Sequence, residues 1–377
     1  MIPYSTQDVT RADVRAVAKT LRSPWLTQGP AVAAFEKAVA KKVGAKFAVA
    51  LNSGTAALHA AYFAAGVGKG DEVIVPALTF AATANAALYL GAKPVFVDID
   101  SKYFTMSITD ARKKITKKTK AIVPVDYGGR PADLRRFRAL ATTHKLVLIE
   151  DGAQSLGARY YGTSVGVQAD MTMFSFHPVK SITTAEGGII VTNNGTYAQR
   201  LKLFRSHGIT KDPAYQTKND GQWYQEMHAL GFNYRMTDVQ AALGESQLKR
   251  LGSFIAKRRV AVKRYDTLFR NVGGMTLPLH DRPYEKSAWH LYPIQIHDPA
   301  KRRAVFEKLR EAGVGVQVHY LPVYRHPYYQ KLGYKKGLCP VAEDFYAHEI
   351  SIPLFPNITQ KQQTYIADTL KRILASL

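Results

Sequence analysis

The stretch KFAVALNSGTAALHAAYFAAGVGKGDEVIVP, residues 46–76, decides the fold. It opens on a short apolar run, turns through Ser-Gly-Thr into an alanine-rich segment, and closes on a second apolar run ending in proline. Short runs rich in Val, Ile and Phe, bounded by Asn, Gly and Pro, read as strands; the longer segment between them reads as a helix. A strand, helix, strand succession of this length joins parallel neighbours. The alternation continues outward, with candidate strands at 93–99, 120–127, 145–151, 170–176 and 187–193 and helical segments at 83–91 and 133–144. The expected class is α/β, a large domain with a mostly parallel central sheet flanked by helices. The last strands follow one another too closely for helices throughout, so an antiparallel edge is expected. From 237 to about 270 a long helical pattern, interrupted only by Gly244 and Gly252, bridges to a smaller α+β unit. The expected division is a large domain over 1–250 and a small C-terminal domain over 251–377.

Of the 377 residues, 46% are hydrophobic and 21% charged, enough apolar material for a sizeable core. The single cysteine, Cys339, excludes an internal disulfide and any multi-cysteine metal site, and fits a reducing compartment. No apolar run approaches the roughly 20 residues a membrane span needs, and the first residues lack the basic-then-apolar pattern of a signal peptide. A cytoplasmic protein without membrane partner or metal is expected. The net charge of +23 admits nucleic acid or anionic small substrates as partners. The basic residues are dispersed over helical segments, which favours a solvated surface. No helix-turn-helix or RNA-binding aromatic motif accompanies them, so nucleic acid is not the expected partner.

Some motifs are decoys. GVGKGD, 66–71, resembles a phosphate loop, but Gly70 stands where Ser or Thr would hold magnesium, so a turn before a strand is expected. No G-x-G-x-x-G follows a strand, His348 and Glu349 lack zinc-helix spacing, and His59 reads as a packed or capping histidine.

Three segments instead fall at strand ends: Ser53-Gly54-Thr55 before a helix, Asp151 after the strand at 145–150, and FSFHPVKSITTAEGG, 174–188, which holds Lys180. In open α/β sheets ligands bind outside the carboxyl ends of strands. Pyridoxal phosphate needs what these segments offer. Its phosphate suits backbone N–H groups at a helix N-terminus, with a hydroxyl such as that of Ser175. Its ring nitrogen stays protonated beside a buried carboxylate such as Asp151. Its aldehyde needs an amine, and Lys180 would supply it and later shuttle a proton.

The chain resembles the DegT-type sugar aminotransferases, fold-type-I pyridoxal phosphate enzymes acting on nucleotide-linked keto sugars. The resemblance runs nearly end to end, through WLTQGP, NSGTAALH, PALTFAATANA, EDGAQSLGARYYG, FSFHPVKSITTAEGG, GFNYRMTDVQAALG, HLYPI and VQVHYLPVY. VDYGG, QVHYLPVY and AEDFYAHEISIP look most like the pseudaminic-acid branch. The resemblance implies L-glutamate as amino donor, 2-oxoglutarate as its product and C4 of a UDP-linked 4-keto-6-deoxy sugar as acceptor. Sugars of the 4-amino-4-deoxy-arabinose or perosamine type are alternatives that share the chemistry. It implies that Asp151 pairs with the pyridine nitrogen, Gln154 lies near the ring's oxygen, and Gly54, Thr55 and Ser175 bind phosphate. Phe80 would stack on the ring, with a core aromatic as the plainer reading, and His177 would lie beside the cofactor. Asn233 would reach the phosphate of a neighbouring subunit in a homodimer with shared sites; the plainer reading leaves Asn233 in the loop before a helix capped by Thr237 or Asp238. Tyr4, Trp25, Leu26, Thr27, His319 and Tyr320 would line the sugar-nucleotide pocket. Residues 210–228 are expected to form a loop of variable length where specificity differs.

Overall fold

In the computed structural model, which describes residues 1–218 and 220–377, each candidate strand is present. The strands are β1 (Phe47–Leu51), β2 (Glu72–Pro76), β3 (Lys93–Val97), β4 (Thr119–Ile122), β5 (Val147–Asp151), β6 (Met171–Ser175) and β7 (Gly188–Thr192). They form one seven-stranded sheet in the order β1-β7-β6-β5-β4-β2-β3. β7 runs antiparallel to both its neighbours and every other pair in the sheet is parallel.

The antiparallel strand is therefore not at the edge, as expected, but second from it, with β1 hydrogen-bonded outside. The link from β6 to β7 contains no helix, so the chain cannot cross over and returns alongside β6. β1 covers what would have been an exposed antiparallel edge.

Helix Gly54–Ala64 shows how composition places an element. Ser53 caps it, its Oγ accepting from Ala56 N at 3.1 Å. Nearly its whole circumference is buried, Ala57, Ala60, Ala61, Tyr62 and Ala64 completely so. Small side chains let it sit close to the sheet and to helices Ala82–Tyr89 and Gly195–Arg205. Its amino end is thereby fixed at the carboxyl end of β1.

The long helical pattern after Thr237 resolves into two helices, Asp238–Leu248 and Leu251–Leu268. Thr237 and Gln240 make a capping box at the start of the first. Between the two helices residues 249–250 form a turn, the Arg250 guanidinium bonded to Asp13 Oδ2 at 2.5 Å and to the Asp8 carbonyl at 2.8 Å. The first helix packs on Arg11–Leu21 and Pro30–Val43. The second packs on a three-stranded antiparallel sheet of β8 (Met275–Thr276), β9 (Tyr292–Ile296) and β10 (Glu349–Ile352), together with Pro299–Glu311 and Gln360–Ala375. The chain's first residues also join that unit, Ile2 bridging to Val314.

Residues 210–228 are pinned at their base by Ile209–Thr210 pairing with Glu226–Met227. Glu226 Oε1 accepts from Thr217 N and Oγ1, both at 2.8 Å. Residue 219 of that loop lies outside the described residues. GVGKGD is a turn, with Gly68 N bonded to Asp71 Oδ2 at 2.9 Å. His59 is buried among Tyr89, Phe204, Phe232 and Tyr234. No helix among the described residues is long and apolar enough to cross a membrane.

Candidate active site

The carboxyl ends of β1, β5 and β6 converge as the sequence suggested. β7 passes beneath the Ser53-Gly54 turn: a Cβ on Gly188 would lie 2.4 Å from the Ser53 carbonyl oxygen, so only glycine fits. A Cβ built on Gly54 would lie 3.2 Å from both Cβ and Oγ of Ser175. The Ser175 hydroxyl therefore stands at the first turn of helix Gly54–Ala64. Ser53 takes up the N–H groups of Ala56 and Ala57, while those of Gly54 and Thr55 find no partner among the described residues. Two N–H donors and a hydroxyl at a helix N-terminus fit a phosphate.

Asp151 is buried at the end of β5. Its Oδ2 accepts from Thr83 Oγ1 at 2.7 Å and its Oδ1 from Ala153 N at 3.1 Å. Thr83 Oγ1 in turn lies 2.8 Å from Thr79 Oγ1. Burial pushes the Asp151 carboxyl above the ordinary range, against the pull of Thr83, Ala153 and the Lys180 charge. Such a carboxylate is short of a cation, and a protonated pyridine nitrogen fits it.

Lys180 follows β6 in a turn closed by its own N–H on the His177 carbonyl, 2.9 Å. Burial pushes its ammonium down to about 8, with Asp151 pulling the other way. Near neutrality a usable fraction is the free amine, the form an aldehyde requires.

Gln154 is held between Gly128 N, which donates to its Oε1 at 2.7 Å, and the Tyr320 hydroxyl, 3.0 Å from its Nε2. Tyr127 OH donates to the His319 carbonyl at 2.7 Å. Glu349 Oε2 accepts from His319 N at 2.7 Å and its Oε1 from Ser351 Oγ at 2.5 Å; Ser351 Oγ also lies 2.9 Å from His319 Nδ1. Burial pushes Glu349 up to about 8. Burial, with Lys180 nearby, pushes His319 down to about 3. The network is thus largely uncharged at neutral pH. The Tyr4 ring lies 5.3 Å from that of His319, and Phe80 meets Tyr320 edge-on at 6.2 Å. Phe80 is 63% exposed and so is not a core aromatic.

Other expected residues lie apart. His177 is exposed, with its N–H 3.5 Å from Ser175 Oγ. Trp25, Leu26 and Thr27 are exposed beside the start of helix Asp238–Leu248, where the Leu26 carbonyl accepts from Asp238 N at 3.0 Å and Thr27 bridges Thr237. Asn233 presents an exposed side chain; its carbonyl accepts from Asn52 Nδ2 at 3.4 Å, close to the Gly54 turn of its own chain. Thr237 does cap the following helix, accepting from Gln240 N at 3.2 Å.

Sequence reasoning missed Thr79 and Thr83, two hydroxyls four residues apart, the first in the bend before helix Ala82–Tyr89 and the second in its first turn. It also missed Glu349 and Ser351, which alternate with Ile in EISI and so share a sheet face. Among the described residues no cluster of three or more His, Cys, Asp or Glu side chains could hold a metal ion.

The DegT/DnrJ/EryC1/StrS aminotransferase family model matches residues 7–371. The UDP-4-amino-4,6-dideoxy-N-acetyl-beta-L-altrosamine transaminase of Campylobacter jejuni subsp. jejuni serotype O:23/36 (strain 81-176) is 41% identical, over 99% of this chain and 98% of that one. Helicobacter pylori PseC, an aminotransferase involved in the biosynthesis of pseudoaminic acid, superposes with a TM-score of 0.93 at 35% identity, covering 100% of both chains. The PLP form of Spr1654 from Streptococcus pneumoniae superposes with a TM-score of 0.93 at 32% identity, covering 100% of this chain and 99% of that one. With Lys180, Asp151 and a helix N-terminus bearing two unpaired N–H groups gathered at three strand ends, the chain is a pyridoxal phosphate-dependent aminotransferase belonging to the DegT/DnrJ/EryC1/StrS family.

Proposed function

We propose that this enzyme moves the amino group of L-glutamate to C4 of a UDP-linked 4-keto-6-deoxy-N-acetylhexosamine. The products are 2-oxoglutarate and UDP-4-amino-4,6-dideoxy-N-acetyl-β-L-altrosamine, a precursor of pseudaminic acid. The observation that carries this reading is the end-to-end 41% identity to the Campylobacter enzyme, on a chain that keeps the Lys180 and Asp151 site.

Bound pyridoxal phosphate supplies the electron sink that stabilises a carbanion at the donor's Cα or the sugar's C4. Lys180 Nζ anchors the aldehyde and moves the proton at those carbons. Asp151 holds negative charge toward the ring nitrogen, and Thr83 fixes its orientation. Gly54 N, Thr55 N and the Ser175 hydroxyl hold the phosphate. Gln154, fixed by Gly128 and Tyr320, would serve the ring's oxygen, and Phe80 and His177 would help to hold the ring. Tyr4, Trp25, Leu26, Thr27, His319 and Tyr320 line the nucleotide-sugar side. The exposed Asn233, Trp25 and Leu26 support a homodimer in which Asn233 completes the partner's phosphate site. A cytoplasmic location and a division near residue 250 complete the reading.

The test is a single turnover. The holoenzyme is charged with L-glutamate, freed of donor and mixed with UDP-, GDP- and dTDP-linked 4-keto sugars. The UDP-4-keto-6-deoxy-N-acetylhexosamine should be aminated fastest; faster amination of a 4-keto-arabinose or perosamine-type precursor would reassign the sugar.

A further inference from the structure

Strand β5 carries an acid where a buried parallel strand is ordinarily apolar. Its last two residues, Glu150 and Asp151, are both buried, and alternation along the strand sends them to opposite faces of the sheet. Glu150 faces away from the cofactor side, toward Thr172, its neighbour in register on β6, whose Oγ1 donates to Oε2 at 2.8 Å. The other oxygen, Oε1, is buried without a donor. The side chain that Glu150 meets there is a second acid. Asp126, also 0% exposed, accepts from Ala132 N on Oδ1 at 2.8 Å and from Ser155 Oγ on Oδ2 at 2.5 Å, and its carboxyl hydrogen-bonds that of Glu150. Arg130, the cation nearest to Asp126 in sequence, is committed to Glu285 at 2.7 Å.

Two ionised carboxylates have only acceptors and cannot hydrogen-bond, and two adjacent charges buried without a counter-charge are strongly unfavourable. One proton resolves both. Asp126 already receives an N–H and an O–H, so a third donor completes the set of a carboxylate, and the proton belongs on Glu150. Burial and repulsion by Asp126 push Glu150 well above the carboxylate range. Burial pushes Asp126 up to about 7, against the pull of Ser155 and Ala132.

The pair joins two loops that reach the site. Asp126 N donates to the Asp151 carbonyl at 3.0 Å, and the residues after Asp126 place Tyr127 on the His319 carbonyl and Gly128 N on Gln154. Ser155, held by Asp126, closes a turn with its own N–H on the Gly152 carbonyl at 3.0 Å. That turn carries Gln154 and brings Ala153 N to Asp151 Oδ1.

We propose that Glu150 and Asp126 share one proton behind Asp151, and that through Ser155 the pair positions the turn carrying Ala153 and Gln154. Both acids are positioning residues, since they act on the cofactor site only through that turn. The inference rests on the reading of Asp151 as the partner of the ring nitrogen and goes beyond it.

Infrared difference spectra of the holoenzyme, taken without substrate, report the proton. At neutral pH, wild type minus Glu150→Gln should show the C=O stretch of one protonated carboxyl, shifted in D2O, and Asp126→Asn should move or abolish that band. No such band, or one that Asp126→Asn leaves unmoved, overturns the shared proton. Cofactor affinity reports the positioning. In Glu150→Gln an amide N–H takes the proton's place, so affinity should stay within about threefold of wild type, less than one hydrogen bond is worth. Glu150→Met removes the donor and should weaken cofactor binding by about 10-fold or more, the scale of a hydrogen bond to a charged group. Ser155→Ala cuts only the link to the turn and should weaken it by about 3- to 10-fold while the band stays. If Glu150→Met does not fold, Ser155→Ala decides. Affinity unchanged in Ser155→Ala, or lost equally in Glu150→Gln and Glu150→Met, overturns the positioning role. Asp151→Ala separates the two claims. If it leaves cofactor affinity unchanged, the reading of Asp151 falls; if it weakens binding and Ser155→Ala does not, only the positioning falls.

Discussion

Thr83→Val isolates the polar group that supports Asp151. Valine keeps the branched shape, so the loss is the Oγ1–Oδ2 hydrogen bond of 2.7 Å. A buried hydrogen bond to an ionised group contributes about 1.5–3 kcal/mol. One pKa unit is about 1.4 kcal/mol, so the Asp151 carboxyl should rise by a further one to two units, roughly. The sign follows from burial, which already holds this group above its ordinary value while Thr83 lowers it. Removing Thr83 removes a downward pull. The ionised form that supports a protonated ring nitrogen is then reached only at higher pH, and the acidic limb of kcat/KM should move up by about one to two units. The apoprotein gives an independent reading. A carboxyl raised in the folded state makes stability fall as pH rises from its unfolded value through its folded one. Deleting Thr83 should therefore cost more at a pH above the folded-state value of the Asp151 carboxyl than at one below its unfolded-state value, by about 1.5–3 kcal/mol in urea unfolding. An unmoved acidic limb, with the same loss of stability at both pH values, would refute the claim that Thr83 acts through the charge of Asp151.

Glu349 is held up to about 8 by burial, so wild-type stability should decline as pH rises from about 4.5 through about 8; Glu349→Gln should flatten that decline in apoprotein urea titrations. Covalent uptake of the cofactor by the apoprotein should accelerate as pH rises through about 8, where the half-buried Lys180 loses its proton, and a profile rising only near 10.5 would contradict that lowering. Mixing Lys180→Ala with Asn233→Ala, each weak or inactive alone, should restore part of the activity if Asn233 serves the partner's site; no recovery despite proven subunit exchange rules out shared sites.

The parallel sheet was legible because strand and helix runs differ in length and periodicity, and Lys180, Asp151 and the Ser53 turn were legible because each sits at a strand end. The position of β7 was not. Local spacing says that a strand returns without a helix but not which distant strand, here β1, will pair outside it. The break at Arg250 was hidden for a similar reason, since its residues suit a helix and the turn is held by Asp8 and Asp13 from the far end of the sequence.

The central claim is that Lys180 is the amine to which the cofactor is attached. Borohydride treatment of the holoenzyme, followed by proteolysis and mass spectrometry, tests it directly. The account predicts the cofactor's mass on the peptide containing Lys180, and none on Lys180→Ala at equal cofactor concentration. A modified lysine elsewhere, or a Lys180→Ala protein that still fixes the cofactor and turns over repeatedly, would contradict it.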